Sequence, residues 1–231
     1  MYYIHTTMTL PKHRRDDACE GRYPFPVFLN LNGQTCLVVG GGPVALRKTA
    51  DLVEAGASVT VVAESPITDF RKLSSDRAIT LRERRFRPDD AAGMFLVIAA
   101  TDDNEVNGEV FRVARERGAL VNVVDSPALC DFFSGAVVKR GPLRIAVSTS
   151  GCVPGLAAFI RRELEEQYDE TWSAYLEAAR EIRRDVLSRE GLAEKRKNEA
   201  LAWLGTREAF SLFTDSGRER VWERIRQIIS C

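Results

Sequence analysis

A single stretch, QTCLVVGGGPVALRKTADLVEAGASVTVVAES from Gln34 to Ser65, limits what this chain can fold into more than any other. Thr35–Val39 is a short apolar run with no polar alternation, the pattern of a strand buried on both faces of a parallel sheet. Gly40, Gly41, Gly42 and Ala45 follow as G-x-G-x-x-A. In that spacing Gly40 allows the tight turn, Gly42 lets a pyrophosphate approach the backbone, and Ala45 permits close helix packing. Pro43 suits the first helical turn, where its missing N–H costs nothing. Val44, Leu46, Thr49, Leu52 and Val53 recur at helical spacing. Ala55-Gly56-Ala57 then ends the helix before a second strand, Val59–Ala63, which Glu64 closes.

Strand, glycine turn, helix, strand and acid arriving in register predict a dinucleotide site in a Rossmann-type domain. Glu64, with Ser65 beside it, stands about 20 residues past the glycines, where such a fold holds the adenosine ribose hydroxyls. Its charge repels a 2′-phosphate, which favours NAD(H) over NADP(H). The same turn can instead pack a helix and bind nothing, with Glu64 a solvated strand end.

The rest of the composition narrows the partner. The 231 residues carry 33 basic and 33 acidic side chains, so no net charge argues for nucleic acid or a membrane surface. Neither the polar N-terminal tail, over 1–21, nor any later segment has an apolar run long enough for a signal peptide or a span, which predicts a cytoplasmic protein with a small-molecule partner. Five cysteines without C-x-x-C spacing disfavour a structural zinc site. Both histidines, His5 and His13, lie in the tail, so the body has no imidazole to offer a metal and no metal ligands are assigned.

Along the chain, Tyr23–Leu29 is apolar with two prolines and reads as an edge segment entering the sheet. A helix over Thr68–Ser75, an exposed strand over Ile79–Phe86 and a buried strand over Phe95–Ala100 follow. Thr101 and Asp102 then stand at a carboxyl strand end, where open α/β sheets place ligands; Asp102 or Asp103 can equally cap the helix over Glu105–Arg117. Leu120–Val124 delivers Asp125, again at a strand's carboxyl end. Asp125 is a candidate base, and also a residue that can simply cap a turn.

Beyond it, Phe132–Val138 and Leu143–Ser148 read as an antiparallel hairpin about Lys139-Arg140-Gly141-Pro142. Ser148, Thr149, Ser150 and Gly151 precede a helix over Leu156–Gln167. Hydroxyls beside a helix N-terminus form an anion site or serve as caps, and here they favour a ligand carboxylate. From Asp169 onward the spacing of Trp172, Tyr175, Leu176, Ala179, Ile182 and Val186, and later of Val221, Trp222, Ile225 and Ile228, is helical. Breaks fall near Gly191, Gly205 and Asp215–Gly217, with a shorter helix over Glu194–Leu204. Their aromatic members read as core.

PFPVFLNLNGQTCLVVGGGPVALRK, AATDD, NVVDSP, and PLRIAVSTSG followed by PGLAAFIRRELE resemble the siroheme synthase N-terminal family of precorrin-2 dehydrogenases, some of which also insert iron as sirohydrochlorin ferrochelatases. The similarity runs from Tyr23 to Glu166. It implies NAD-dependent oxidation of precorrin-2, a tetrapyrrole, to sirohydrochlorin by a homodimer. The domains implied are a nucleotide domain over 22–133, a dimerisation region over 134–168 and a helical domain over 169–231. Pro43 and Val44 would then meet the pyrophosphate, with Glu64 and Ser65 at the ribose and Thr101 and Asp102 toward the nicotinamide. Asp125 matches the family's essential aspartate. Thr149 stands where some members carry a serine important for ligand handling.

The chemistry fits these residue types. The substrate loses a hydride to the nicotinamide and a proton to a base, and its eight carboxylates call for hydroxyls, amides and cations, which Ser148–Gly151 and nearby arginines can supply. Without histidine in the body, dehydrogenation is favoured over iron insertion. The rival from another class is a non-catalytic NAD(H)-sensing module. It needs the glycine turn and Glu64 but neither Asp125 nor the hydroxyl-rich turn.

Overall fold

The computed structural model describes residues 23–76 and 78–230. The expected loose tail over 1–21, with both histidines, lies outside them. Contacts divide the chain into two compact units, one reaching to Ser134 and including Ser150–Cys152, the other comprising Gly135–Thr149 and the chain from Val153 onward.

The first unit is a doubly wound parallel sheet. Its strands are β1 (Thr35–Val39), β2 (Ser58–Ala63), β3 (Ile79–Glu83), β4 (Leu96–Ala99) and β5 (Leu120–Val123), in the spatial order β3-β2-β1-β4-β5. Every pairing in it is parallel. Helices α1 (Pro43–Glu54), α2 (Thr68–Ser75) and α3 (Asn104–Glu116) make the crossovers. The chain builds outward from β1 to β3, then returns to the other side of β1 for β4 and β5. Right-handed crossovers therefore send α1 and α2 to one face and α3 to the other.

Alternate side chains of one strand serve the two faces. Cys36 and Val38 pack with Ala45, Leu52 and Phe70, whereas Leu37 and Val39 pack with Val110, Val113 and Val123. This explains why β1 has no polar alternation: both of its faces are interior. Each such fully buried Val or Leu contributes roughly 1.5–3 kcal/mol of transfer free energy.

The segment over Tyr23–Leu29 departs from expectation. It forms no strand, and Tyr23, Phe25, Val27 and Phe28 are exposed, Phe25 at 86%. Pro24 and Pro26 lack the N–H groups a ladder needs. The chain joins the sheet only after Leu31, whose carbonyl accepts from the Gln34 N–H at 2.9 Å. The third strand also stops earlier than its alternation suggests, at Glu83. Arg84 and Arg82 instead turn onto Asp90, at 2.6 and 2.7 Å, in the 3-10 turn Pro88–Ala91.

In the second unit, β6 (Ala136–Arg140) and β7 (Leu143–Val147) pair antiparallel about Gly141-Pro142. Helix α4 (Pro154–Gln167) is followed by α5 (Glu170–Ser188), α6 (Glu194–Leu204) and α7 (Arg207–Ser230). Ile182, Val186, Ala200, Leu204, Val221 and Ile225 form the helical core. Trp172 stacks on Phe210 with ring centroids 4.0 Å apart and Tyr175 meets Phe210 edge-on, so these aromatics pack against one another. Gly217, at φ 78° and ψ −179°, breaks α7 into two helical pieces. Among the described helices none is long and apolar enough to cross a membrane.

Candidate functional site

The carboxyl end of the first unit's sheet converges at the point where strand order reverses. Val39, Ala99 and Val123 share one rung across β1, β4 and β5. The residues that leave that rung, Gly40, Ala100 and Val124, therefore start side by side. Gly40 has φ +137°, and a Cβ there would lie 2.2 Å from the Ala100 carbonyl oxygen, so only glycine lets β1 end against β4. On its other side Gly41 abuts the end of β2: a Cβ would come 2.8 Å from Pro66 Cα and 3.1 Å from the Ser65 oxygen. Gly41 was not singled out from the sequence, yet it seats the turn against the segment that carries Glu64 and Ser65.

Gly42 differs from both. A Cβ there meets nothing within 4 Å, and the residue occupies the N-cap of α1 with no side-chain cap, followed by Pro43. Open space, uncapped amides and the positive end of a helix suit a pyrophosphate. The residues present thus fit a dinucleotide.

Beside this turn lies a cavity of about 280 Å³ lined by Val44, Ala100, Thr101, Asp102, Val124 and Asp125, with Asn104, Asn107 and Ser126 completing it. Four predicted site residues, Val44, Thr101, Asp102 and Asp125, are brought together here from the segments that follow β1, β4 and β5. Glu64 and Ser65 sit on the β2 side of the glycine turn and do not line the cavity. Neither do Ser148, Thr149, Ser150 and Gly151.

Several neighbours hold these groups in place. The Thr101 hydroxyl donates to Asn107 Oδ1 at 2.8 Å, and the Asn107 amide returns a hydrogen bond to the Thr101 carbonyl at 2.9 Å. Asn107 is buried and was not identified from the sequence, where it reads as an ordinary polar position on a helix. Asp103 takes the capping role, accepting from the Glu105 and Val106 amides at 2.8 and 3.2 Å. That resolves the earlier ambiguity and leaves Asp102 on the cavity wall.

Asp125 itself has φ +58°, a left-handed conformation that Asp tolerates better than most residues at a cost on the order of 1 kcal/mol. The loop behind it is pinned to β5. The Asp131 carboxylate accepts from the Val121 amide at 3.1 Å, Asn122 donates to the Phe132 carbonyl at 2.9 Å, and the Cys130 thiol meets the Val123 carbonyl at 3.2 Å. Burial pushes the Cys130 thiol pKa up, which keeps it a donor. Burial likewise lowers the pKa of Lys48, one helical turn past Val44, with Arg47 adding repulsion.

The acid on the ribose side is paired. Glu64 Oε1 lies 2.9 Å from Arg85 Nε. In the second unit, the helix after the hydroxyl-rich turn is capped by Val153 without a side-chain acceptor, so none of Ser148, Thr149 and Ser150 serves as its N-cap. Nearby, Arg140 pairs with Glu170 and Arg161 with Glu165.

Residues 27–136 match the family model of putative NAD(P)-binding domains, and residues 140–167 that of the sirohaem biosynthesis protein central region. These two regions stand in the order seen in the siroheme synthase N-terminal family, to which the chain is similar. The chain is 42% identical over 171 residues to the siroheme synthase of Methylococcus capsulatus, covering 74% of this chain and 36% of that protein. With the siroheme synthase of Pseudomonas aeruginosa it shares 45% over 161 residues, 70% of this chain and 35% of the relative. The chain thus spans about a third of the length of these curated siroheme synthases. Among solved structures it is similar to SirC, precorrin-2 dehydrogenase, with TM-score 0.75 and 26% identity, over 88% of this chain and 100% of that one.

Proposed function

We propose that this chain is an NAD-dependent oxidoreductase that converts precorrin-2 to sirohydrochlorin in siroheme biosynthesis. One observation carries the reading: Asp125 lines the same cavity as Val44, in the first turn of α1 beyond the glycine turn. Similarity to the siroheme synthase N-terminal family and the likeness to a precorrin-2 dehydrogenase support it.

When bound, NAD+ supplies the hydride acceptor. The chain's own residues do the rest. Gly42, Pro43 and Val44 receive the pyrophosphate at the α1 N-terminus, and Glu64 and Ser65 border the adenosine ribose. Thr101, locked by Asn107, and Asp102 flank the nicotinamide side. Asp125 takes the proton that leaves the macrocycle as its hydride departs, and the pinned loop behind it keeps the carboxylate from drifting out of reach. Ser148, Thr149, Ser150 and Gly151 provide hydroxyls and amides for the substrate's carboxylates. The region over 134–168 serves as the dimerisation region of a cytoplasmic homodimer, and 169–231 as a helical domain.

The test is anaerobic turnover of precorrin-2 with NAD+, following NADH and sirohydrochlorin together. Stoichiometric formation of both is expected. Tight NAD+ binding with no turnover would favour an NAD(H)-sensing module instead. Repeating the assay with ferrous ion asks whether the same chain also inserts iron.

A further inference from the structure

The ribose end of the crevice carries more charge than one strand-end acid. Ala63 and Glu83 share a rung between β2 and β3, so Glu64 and Arg85 leave neighbouring strand ends and meet at 2.9 Å. Three other guanidinium groups around this strand end are engaged elsewhere: Arg82 and Arg84 with the buried Asp90 at 2.7 and 2.6 Å, and Arg71 with Glu83 at 2.7 Å. Arg85 is the one turned onto Glu64.

A solitary carboxylate in this position repels a 2′-phosphate and so selects for the unphosphorylated cofactor. With Arg85 against it, that repulsion is offset. The guanidinium also presents a planar fork of donors whose geometry matches phosphate oxygens. Side-chain exposures of 85% for Arg85 and 57% for Glu64 mean the pair is held weakly and exchanges partners readily. Ribose hydroxyls can take the place of Arg85 on Glu64, and a phosphate can take the place of Glu64 on Arg85.

We propose that Arg85 is a specificity-determining residue of the dinucleotide site, admitting the 2′-phosphorylated dinucleotide NADP+ alongside NAD+. This rests on the proposed function only for the presence of a dinucleotide in the crevice.

Calorimetric titration of the full chain with NAD+ and with NADP+ tests it without any turnover. Wild type binds NADP+ within about thirtyfold of NAD+. Arg85→Ala raises the ratio of the NADP+ to the NAD+ dissociation constant by at least about fivefold, as expected for loss of a charge-assisted contact made by one ligand alone. Glu64→Gln lowers that ratio. A merely structural Arg85 would move both constants together. Discrimination beyond about thirtyfold in wild type, or a smaller change of ratio in Arg85→Ala, overturns the proposal and leaves the dehydrogenase reading intact. Binding of neither dinucleotide removes both readings. The predicted ratios without oxidation of precorrin-2 remove only the dehydrogenase.

Discussion

Val44 lies in the first turn of the first helix and Asp125 in the loop after the fifth strand, yet both line one cavity. The strand order makes this so: β4 lies between β1 and β5, and the shared rung at Val39, Ala99 and Val123 brings their loops level. A carboxylate carried on the loop after β5 thereby lines one cavity with the first turn of a helix whose N-terminus is suited to phosphate.

Asp125→Asn isolates the chemistry from the fold. Asparagine tolerates the left-handed backbone at this position, so the loop keeps its shape, while the amide cannot accept the proton. Turnover of precorrin-2 should fall by roughly 100-fold or more, the range for loss of a general base. Calorimetry should still detect NAD+ binding, and a variant with near-normal turnover would remove Asp125 from the mechanism.

Gly40 and Gly42 should respond oppositely to alanine. At Gly40 the new Cβ collides with the Ala100 carbonyl in a backbone region closed to alanine, and the fold should lose roughly 2–4 kcal/mol. At Gly42, with φ −89° and open space, the melting temperature should hold while NAD+ affinity drops by about tenfold or more, since the methyl would enter the volume proposed for the pyrophosphate. Thermal unfolding and titration of the two variants separate a folding glycine from a binding one.

Asp90 makes unit-one stability depend on acid. The side chain is only 2% exposed, and that burial alone would raise its pKa, but hydrogen bonds from Arg84, the Arg87 amide and Arg82 outweigh it and bring the carboxyl down to about 2. A carboxyl with a depressed folded pKa contributes stability above its unfolded value near ~4, and that contribution is lost as pH falls from there through about 2. About 1–2 kcal/mol should disappear across that window, after allowance for screening around the partly exposed arginines. Denaturant melts should show the loss in wild type and not in Asp90→Asn, which starts out less stable.

Gly217 holds a backbone conformation at φ 78° and ψ −179° that is essentially closed to other residues. Gly217→Ala should cost roughly 1–3 kcal/mol and loosen the packing of Val221 and Ile225. Circular dichroism melts check the stability, and unchanged stability would mean the two pieces of α7 can join without a break.

Local patterns carried much of the architecture. The spans of β1, α1, α2 and α6 were legible in apolar spacing, glycines and breaks, because strand and helix periods are properties of neighbouring residues. What periodicity could not resolve was which competing use of a residue would win. Asp103 rather than Asp102 caps α3, and the prolines of Tyr23–Leu29 keep that apolar run out of the ladder.

From its own letters, then, the chain specified a glycine turn between buried strands and an acid at each of several strand ends, since these depend on contacts a few residues long. Only the folded sheet decided which of those ends share a cavity, that Gly41 presses on Pro66, that Asn107 locks Thr101, and that Arg85 closes on Glu64. Such pairings follow from strand order and register, which bring together residues that no local pattern links.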